Sequence, residues 1–321
     1  MNESSPAIGR SWTIGMGGIR FGLAPLATAM ALSGAVPLIA PSHACAGDPG
    51  KEEARHDRQR AKREGAVDPR FRAYYDLFKR GPALIPFHDT KLVPQGLTYW
   101  AARDRLIIGY YDAAHGRSRI AIVDRRSGRH ITNLVLRTTG HVGGLGMTQS
   151  GHLWVATNGK LFRYPERTLD SVEGTLIDSD RTFEVKAFSF IGVRGNDLWV
   201  GQFARSGKPR AYPYRVTAKG DLQSAGTPIP VPTQTQGMAV TDQHFIFSRS
   251  FGRDKPSRIE SPARRAPVAN GPTLKAPSMA EGMVFAGGEI HVVYESGSKK
   301  YPDAKPQVRT IHHASVASLG G

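Results

Sequence analysis

Cysteine is almost absent from this chain of 321 residues, which contains only Cys45. A disulfide within the chain is therefore excluded, and other means of stabilisation are needed. An exported protein without disulfides depends on a large buried core or on a closed architecture.

Charged side chains are lacking throughout residues 21–40, which follow two arginines in residues 1–20 and precede a run of small residues. This order predicts a secretory signal over residues 1–46, cut after Ala46, and a secreted protein with no stable membrane span after signal removal. The prolines in the apolar run argue against a retained anchor. One alternative stays open, in which Cys45 carries a lipid anchor.

Acidic residues are scarce relative to basic ones, with 27 Asp and Glu against 43 Lys and Arg, a net charge of +16 and a pI near 10.2. Such a balance favours anionic partners. The basic residues are scattered and no nucleic-acid-binding motif is present, so nucleic acid is not expected as a partner. The expected partner is a small-molecule ligand or an anionic wall polymer, and the expected state is a monomer. An ordinary arginine-rich surface is the alternative interpretation.

Apolar residues recur at helical spacing in residues 68–81, behind a highly charged stretch. Asp68 suits a helix N-cap, Pro69 suits the first helical position, and Gly81 suits the end. Residues 47–81 therefore predict a charged lead and one short helix.

Long apolar runs are absent beyond this point, and 36 Gly and 22 Pro indicate many turns between short strands. The phrases "TQGMAV", "AEGMVF" and "PQGLTY" each open a unit of strand, turn and strand. The second strand of each unit recurs at intervals of 47, 45, 47 and 45 residues, anchored on Leu106, Leu153, Leu198, Phe245 and Ile290. This period, with four strands in each unit, is typical of a β-propeller.

The last unit offers only three strands, and residues 82–89 precede the first unit without a partner. We therefore predict an all-β fold: a β-propeller over residues 82–321 with five four-stranded blades, one of them closed by the N- and C-terminal strands. Six blades are the alternative if residues 164–186 contain further strands.

Polar side chains occupy the loops that meet at one end of such a ring, those leading into each inner strand and those leaving each second strand. They are Gln95, Tyr111, Asp112, His141, Asn158, Lys186, Gln202, Gln236, Arg249, Glu281 and Glu295. A polar cluster at the mouth of a channel predicts a site that binds a small polar ligand or a cell-wall component. The alternative is a solvated rim whose side chains hold the loops together.

Catalysis is the second hypothesis, with Glu281 and His141 as the catalytic candidates. A calcium site needs several oxygen ligands, and Glu281 is the only carboxylate among the residues that lead into inner strands. A glycosidase needs two carboxylates, for which Glu281 pairs with Glu295 or Asp112. No G-x-S-x-G motif is present. A hydrolase acting on a lactone, an ester or a glycoside, with or without calcium at Glu281, thus stays the alternative to a binding protein.

The phrases "VPQGLTYW", "GHVGGLGM", "LWVATNGKLFRYP", "TQGMAVTDQHFIFSRSFGRDK" and "APSMAEGMVFAGGEIHVVYESG" resemble a family of secreted propeller proteins of actinobacteria. The resemblance covers about residues 85–316 and implies the fold, without a particular activity. More distantly, the polar-Gly openings are similar to those of gluconolactonase-like propellers. Gln stands here where those would require acidic metal ligands.

Overall fold

A computed structural model describes residues 65–265 and 271–319. The predicted signal over residues 1–46 and most of the charged lead lie outside the described residues. A 3-10 turn (Pro69–Phe71) and helix α1 (Arg72–Leu77) come first, and further 3-10 turns span Ala101–Arg103, Glu166–Asp170, Glu295–Gly297 and Val316–Leu319. Among the described residues, no helix is long and apolar enough to span a membrane.

Strands make up most of the rest. In chain order they are β1 (Lys79–Leu84), β2 (Leu92–Trp100), β3 (Arg105–Asp112), β4 (Arg119–Asp124), β5 (His130–Leu136), β6 (Gly144–Thr148), β7 (His152–Thr157), β8 (Lys160–Pro165), β9 (Leu176–Ile177), β10 (Arg181–Glu184), β11 (Phe190–Arg194), β12 (Asp197–Gly201), β13 (Arg210–Val216), β14 (Leu222–Ser224), β15 (Ile229–Pro230), β16 (Thr235–Val240), β17 (Phe245–Arg249), β18 (Ser257–Glu260), β19 (Thr273–Ala276), β20 (Ala280–Ala286), β21 (Glu289–Tyr294) and β22 (Thr310–Ser315).

These strands form five sheets, which confirms the five-bladed β-propeller. Blade 1 is β2-β3-β4-β5 with β9 added, blade 2 is β6-β7-β8-β10, and blade 3 is β11-β12-β13-β14 with β15 against β13. Blade 4 is β16-β17-β18-β19 and blade 5 is β20-β21-β22-β1. The inner strands contact one another around the ring, β2 to β6, β6 to β11, β11 to β16, β16 to β20 and β20 back to β2.

Blade 5 closes the ring as predicted, because the N-terminal strand β1 pairs antiparallel with the C-terminal strand β22. Two details of the prediction were wrong. The closing strand lies at Lys79–Leu84 rather than at residues 82–89, and α1 ends at Leu77 rather than at Gly81. Gly81 belongs to β1, where a side chain would run into the carbonyl of Ile311 on β22. Close strand pairing, and not helix termination, therefore explains this glycine.

The six-bladed alternative is also wrong. Residues 164–186 contain a 3-10 turn, then β9, which runs parallel to β5 at the edge of blade 1, and β10, the outer strand of blade 2. The long stretch thus completes two existing blades and adds none.

Helix α1 covers the seam between blades 4 and 5. Its buried Tyr74 hydrogen-bonds through the hydroxyl to His312 Nδ1 at 3.0 Å and accepts a 2.7 Å bond from the hydroxyl of Tyr294. Phe71 and Phe78 pack with Tyr74 in the same cluster of buried side chains. The lead is thereby fixed to the strands that close the ring.

Glycine in the repeated phrases allows neighbouring inner strands to touch through their backbones. At Gly96 and Gly237 an added Cβ would lie 2.5–2.8 Å from backbone atoms of the next inner strand or of the loop leading into it. At Gly282 it would lie nearer still to backbone. The contacts are Gly96 with Val142 and Gly143, Gly237 with Glu281 and Met283, and Gly282 with Gln95 and Leu97. Backbone cannot move aside as a side chain can, so these positions exclude larger residues.

We predict that Gly282→Ala lowers the free energy of unfolding by about 1–3 kcal/mol, because its methyl group forces β20 away from β2 where the ring closes. Urea denaturation measures the change. Thr182→Val, on the exposed outer strand β10, is the control and should stay within about 0.5 kcal/mol of the wild type. Equal stability of Gly282→Ala and wild type would contradict this account of the glycines.

Candidate functional site

Antiparallel pairing within each blade brings two sets of loops to the same end of the ring. The loops leading into β2, β6, β11, β16 and β20 meet there, together with the loops that leave β3, β7, β12, β17 and β21. We call this end the mouth. The turns between first and second strands lie at the opposite end.

Two carboxyl groups lie together at the mouth. Glu281 is the second residue of β20 and Glu295 directly follows β21, the strand paired with it. Gln95, on the inner strand of blade 1, donates its Nε2–H to Glu295 Oε1. The structure thus brings together three of the residues that the sequence placed at the mouth.

Glu281 is far more buried than a solvated rim would allow. The residue is 4% exposed, and no donor among the described residues hydrogen-bonds to its carboxyl group. The carbonyl of the same residue is held by the Ser248 hydroxyl. The carboxyl group of this largely buried residue is therefore open to hydrogen bonds from a ligand.

The environment of the pair shifts both of its pKa values upward. Burial raises the pKa of the Glu281 carboxyl well above its usual range, and the neighbouring Glu295 raises it further. Burial raises the pKa of Glu295 to about 7, while Lys300 and hydrogen bonds from Gln95 and Tyr301 hold it lower than burial alone would. Both shifts favour the protonated form, and a pKa of about 7 leaves Glu295 partly ionised at neutral pH.

Tyr111 and His141 lie beside each other at the mouth, with stacked rings whose centroids are 4.1 Å apart. Lys300 donates to the Tyr111 hydroxyl at 2.6 Å, and the Tyr301 hydroxyl lies 3.4 Å from it. Burial by the surrounding groups and the charge of Lys300 lower the pKa of His141. His141 is therefore neutral at physiological pH.

Lys300, Tyr301 and Arg253 complete this cluster, although the sequence did not single out Lys300 or Tyr301. The first two belong to the long connection between β21 and β22, and Arg253 lies over the Tyr301 ring at 5.0 Å. Burial raises the pKa of the Tyr301 hydroxyl, and Glu295 adds to the shift. Length was the available signal, since residues 295–309 exceed what a turn between paired strands requires.

The remaining candidates have local contacts of their own. Asp112 accepts from the backbone of Ala114, Asn158 has a positive φ of 52° at the turn between β7 and β8, and Arg249 donates to the Thr233 carbonyl and pairs with Glu260. Gln202 has a buried Oε1 with no partner in the described part of the chain, and Gln236 is half-buried at the start of β16. No hydrogen bond links these five to the carboxyl pair among the described residues.

Basic side chains surround the mouth. Among the exposed cations in the loops around it are seven that have no carboxylate within 4.0 Å in the described ranges. We call these seven the rim cations: Lys186, Arg205, Lys208, Arg253, Lys255, Lys299 and Lys300.

Arginines toward the opposite end are mostly neutralised. Seven ion pairs lie there: Arg103–Asp170, Arg125–Asp104, Arg126–Asp104, Arg163–Asp180, Arg181–Asp221, Arg194–Asp242 and Arg215–Asp197. Charge toward that end is therefore neutralised at these seven pairs, whereas the rim cations have no such partner within the described residues.

Calcium does not fit the donor set at the mouth. Calcium needs six to eight oxygen ligands, whereas the paired carboxyl groups at the mouth are only Glu281 and Glu295, and Glu295 already accepts from Gln95. Lys300 also acts on Glu295 as a nearby positive charge. Within residues 65–265 and 271–319, no three His, Cys, Asp or Glu side chains are placed to share a metal ion.

The fold and the mouth together define a five-bladed β-propeller with an acidic pair beneath a basic rim. No protein-family model and no curated protein matches the chain. Solved structures show distant likeness. A tail fibre of a Staphylococcus aureus phage is 11% identical, with 82% of this chain and 56% of that chain covered and a TM-score of 0.48.

The periplasmic gluconolactonase of Pseudomonas aeruginosa is 16% identical, with 62% of this chain and 64% of that chain covered and a TM-score of 0.39. The GH43_1 enzyme from Xanthomonas citri is 10% identical, with 73% and 90% covered and a TM-score of 0.44. The chain spans less than two thirds of the tail fibre and of the gluconolactonase. The distant gluconolactonase-like resemblance thus recurs among structures, but it carries no argument about substrate.

The raised carboxyl pKa values predict a stability that falls with rising pH. The folded state holds protons that the unfolded chain releases above about pH 4.5. The free energy of unfolding therefore decreases as the pH rises from 4.5 through about 7 and beyond. The slope is up to about 1.4 kcal/mol per pH unit for each of the two groups. Glu281→Gln cannot ionise, and its stability should fall less steeply. Urea denaturation at several pH values measures both slopes.

The difference between the two curves isolates Glu281 from histidines that titrate in the same range. Glu184→Gln, at an exposed glutamate paired only with Lys160, is the control and should keep the wild-type slope. Parallel curves for Glu281→Gln and wild type would show that Glu281 is ionised in the folded protein, against this account.

Proposed function

We propose that this propeller is a secreted binding protein that holds an anionic polar ligand at its mouth, either a small molecule or a segment of an anionic wall polymer. The observation that supports the proposal is the set of seven rim cations, which are exposed and have no carboxylate within 4.0 Å among the described residues. Secretion rests on the signal-like order of residues 1–46, and lipid attachment at Cys45 is the alternative location.

Unpaired cations on one face create a positive potential that attracts anions. Elsewhere in the described chain, arginines are placed next to aspartates at 2.6–3.4 Å, as in Arg125–Asp104 and Arg103–Asp170. Asp254 and Asp303 lie in the same loops as rim cations, but neither is within 4.0 Å of one among the described residues. Because the rim cations are exposed, their attraction for an anion is screened by salt.

We predict that the double variant Arg253→Glu/Lys255→Glu binds polyphosphate at least about tenfold more weakly than wild type at low salt, because two rim attractions become repulsions. Fluorescence anisotropy with labelled polyphosphate measures the affinity. The difference should shrink as ionic strength rises.

The matched control is Arg129→Glu/Lys219→Glu, which changes the net charge equally but at the opposite end, where both residues are exposed. This control should stay within about twofold of wild type. Equal losses in the two double variants would mean that only net charge matters, and the mouth would then not be the binding site.

Hydrolysis of a lactone, an ester or a glycoside is a second candidate function, and the carboxyl pair is the observation that favours it. Burial favours the protonated form of Glu281, which lies next to partly ionised Glu295. In such a reaction Glu281 would donate a proton to the leaving oxygen while Glu295 removes a proton from the attacking water. His141, neutral and exposed, lies beside Tyr111 in the same mouth.

We predict for this second candidate that any turnover of lactones, nitrophenyl esters or nitrophenyl glycosides falls by a factor of about 100 or more in Glu281→Gln, which cannot donate a carboxylic proton. Release of nitrophenol or acid measures the rate. Turnover that survives this substitution, or no turnover of any of the three classes, would leave the binding function alone.

A further inference from the structure

Beneath the rim cations, the carboxyl group of Glu281 offers hydrogen bonds to a ligand in addition to the charge of the rim. The residue is 4% exposed, and its carboxyl group has no hydrogen-bond donor among the described residues. Glu295 accepts from Gln95 and Tyr301, which are two of the roughly four hydrogen bonds that a carboxylate can accept. Ser298, 2% exposed and in the same loop as Glu295, also has a hydroxyl without a partner in the described part of the chain. The space around Glu281, Glu295 and Ser298, which we call the pocket beneath the rim, thus has hydrogen-bonding capacity left for a ligand.

A positively charged donor does not suit this pocket. Lys300 and Arg253 already act on Glu295 as neighbouring positive charges, and Lys300 is fixed by its bond to the Tyr111 hydroxyl. An ammonium group or a metal ion would be repelled by both. Uncharged hydroxyl groups satisfy carboxyl oxygens without that repulsion, since each hydroxyl both donates and accepts.

Aromatic stacking does not suit this pocket either. One face of Tyr111 is covered by the stacked His141 ring at 4.1 Å, and Lys300 Nζ lies 4.8 Å from the ring centroid. Arg253 and Lys300 lie 5.0 and 5.3 Å from the centroid of Tyr301. Recognition therefore depends on hydrogen bonds and charge rather than on an apolar ring.

We propose that the ligand is an acidic sugar, a polyhydroxylated molecule with a carboxylate or phosphate group, whose charged group contacts the rim cations while its hydroxyl groups hydrogen-bond to Glu281 and Glu295. This inference rests on the proposed function, because it takes the rim as the anion subsite. It adds the carboxyl pair as the hydroxyl subsite. Free sugars and polymer segments share this chemistry.

Isothermal titration calorimetry with matched probes tests the inference. The acidic sugars are galacturonate, glucuronate and galactose 6-phosphate, the bare anions are acetate and methyl phosphate, and galactose is the uncharged sugar. We expect each bare anion and galactose to bind about tenfold or more weakly than the best acidic sugar. Polygalacturonate compared with galacturonate distinguishes a polymer ligand from a free one.

Variants of Glu281 test whether the tighter binding of acidic sugars depends on the carboxyl pair. In Glu281→Ala the acidic sugar should bind no tighter than the bare anion, while methyl phosphate binds as in wild type and reports an intact rim. Glu281→Gln retains one donor and one acceptor and should keep much of the advantage. Glu184→Ala, at an exposed position, should change nothing.

Acidic sugars that bind wild type no tighter than bare anions would overturn the inference and leave the proposed function standing. An advantage that persists in Glu281→Ala would also overturn it, because the hydroxyl groups would then be held elsewhere. Absence of binding by every anionic probe would overturn both. The wild-type comparison decides the matter even if Glu281→Ala does not fold.

Discussion

The close approach of inner strands around the central axis is the constraint on which the rest of this propeller depends. At Gly96, Gly237 and Gly282 the backbone of one blade lies against the backbone of the next. The last of these contacts joins blade 5 to blade 1, where β1 and β22 also pair. A ring closed in this way leaves no long unpaired edge and needs no disulfide.

The close approach of neighbouring inner strands also explains why Glu281 is buried. Glu281 precedes Gly282, and its carbonyl is fixed by Ser248 while Gly237 lies against it. The side chain is therefore held inside the ring rather than in solvent, and burial raises its pKa. Glu295, with a pKa of about 7, carries part of a negative charge at neutral pH, so the seven rim cations outnumber the negative charges of the pair. One backbone constraint thus places two hydrogen-bonding carboxyl groups beneath a positive rim.

Much of the architecture could be predicted from the sequence because a propeller repeats its local signals. The second strands anchored on Leu106 and Ile290 lie where the period places them, in β3 and β21. The closing strand was misplaced because Gly81 has the composition of a helix end but is used for strand pairing. The grouping of Gln95, Glu281 and Glu295 followed from loop topology. The positions of Lys300 and Tyr301 beside Glu295 could not be predicted, because the path of a long loop does not follow from the period of the strands.

Amide hydrogen exchange of the full chain, with and without polyphosphate at low salt, tests the central claim that the mouth is the binding face. The account predicts slower exchange in residues 185–189, 202–209, 250–256 and 295–309, the loops that carry the rim cations. It predicts no change in the turns at residues 101–104, 125–129 and 217–221, at the opposite end. Slower exchange in those turns, with the mouth loops unchanged, would contradict it.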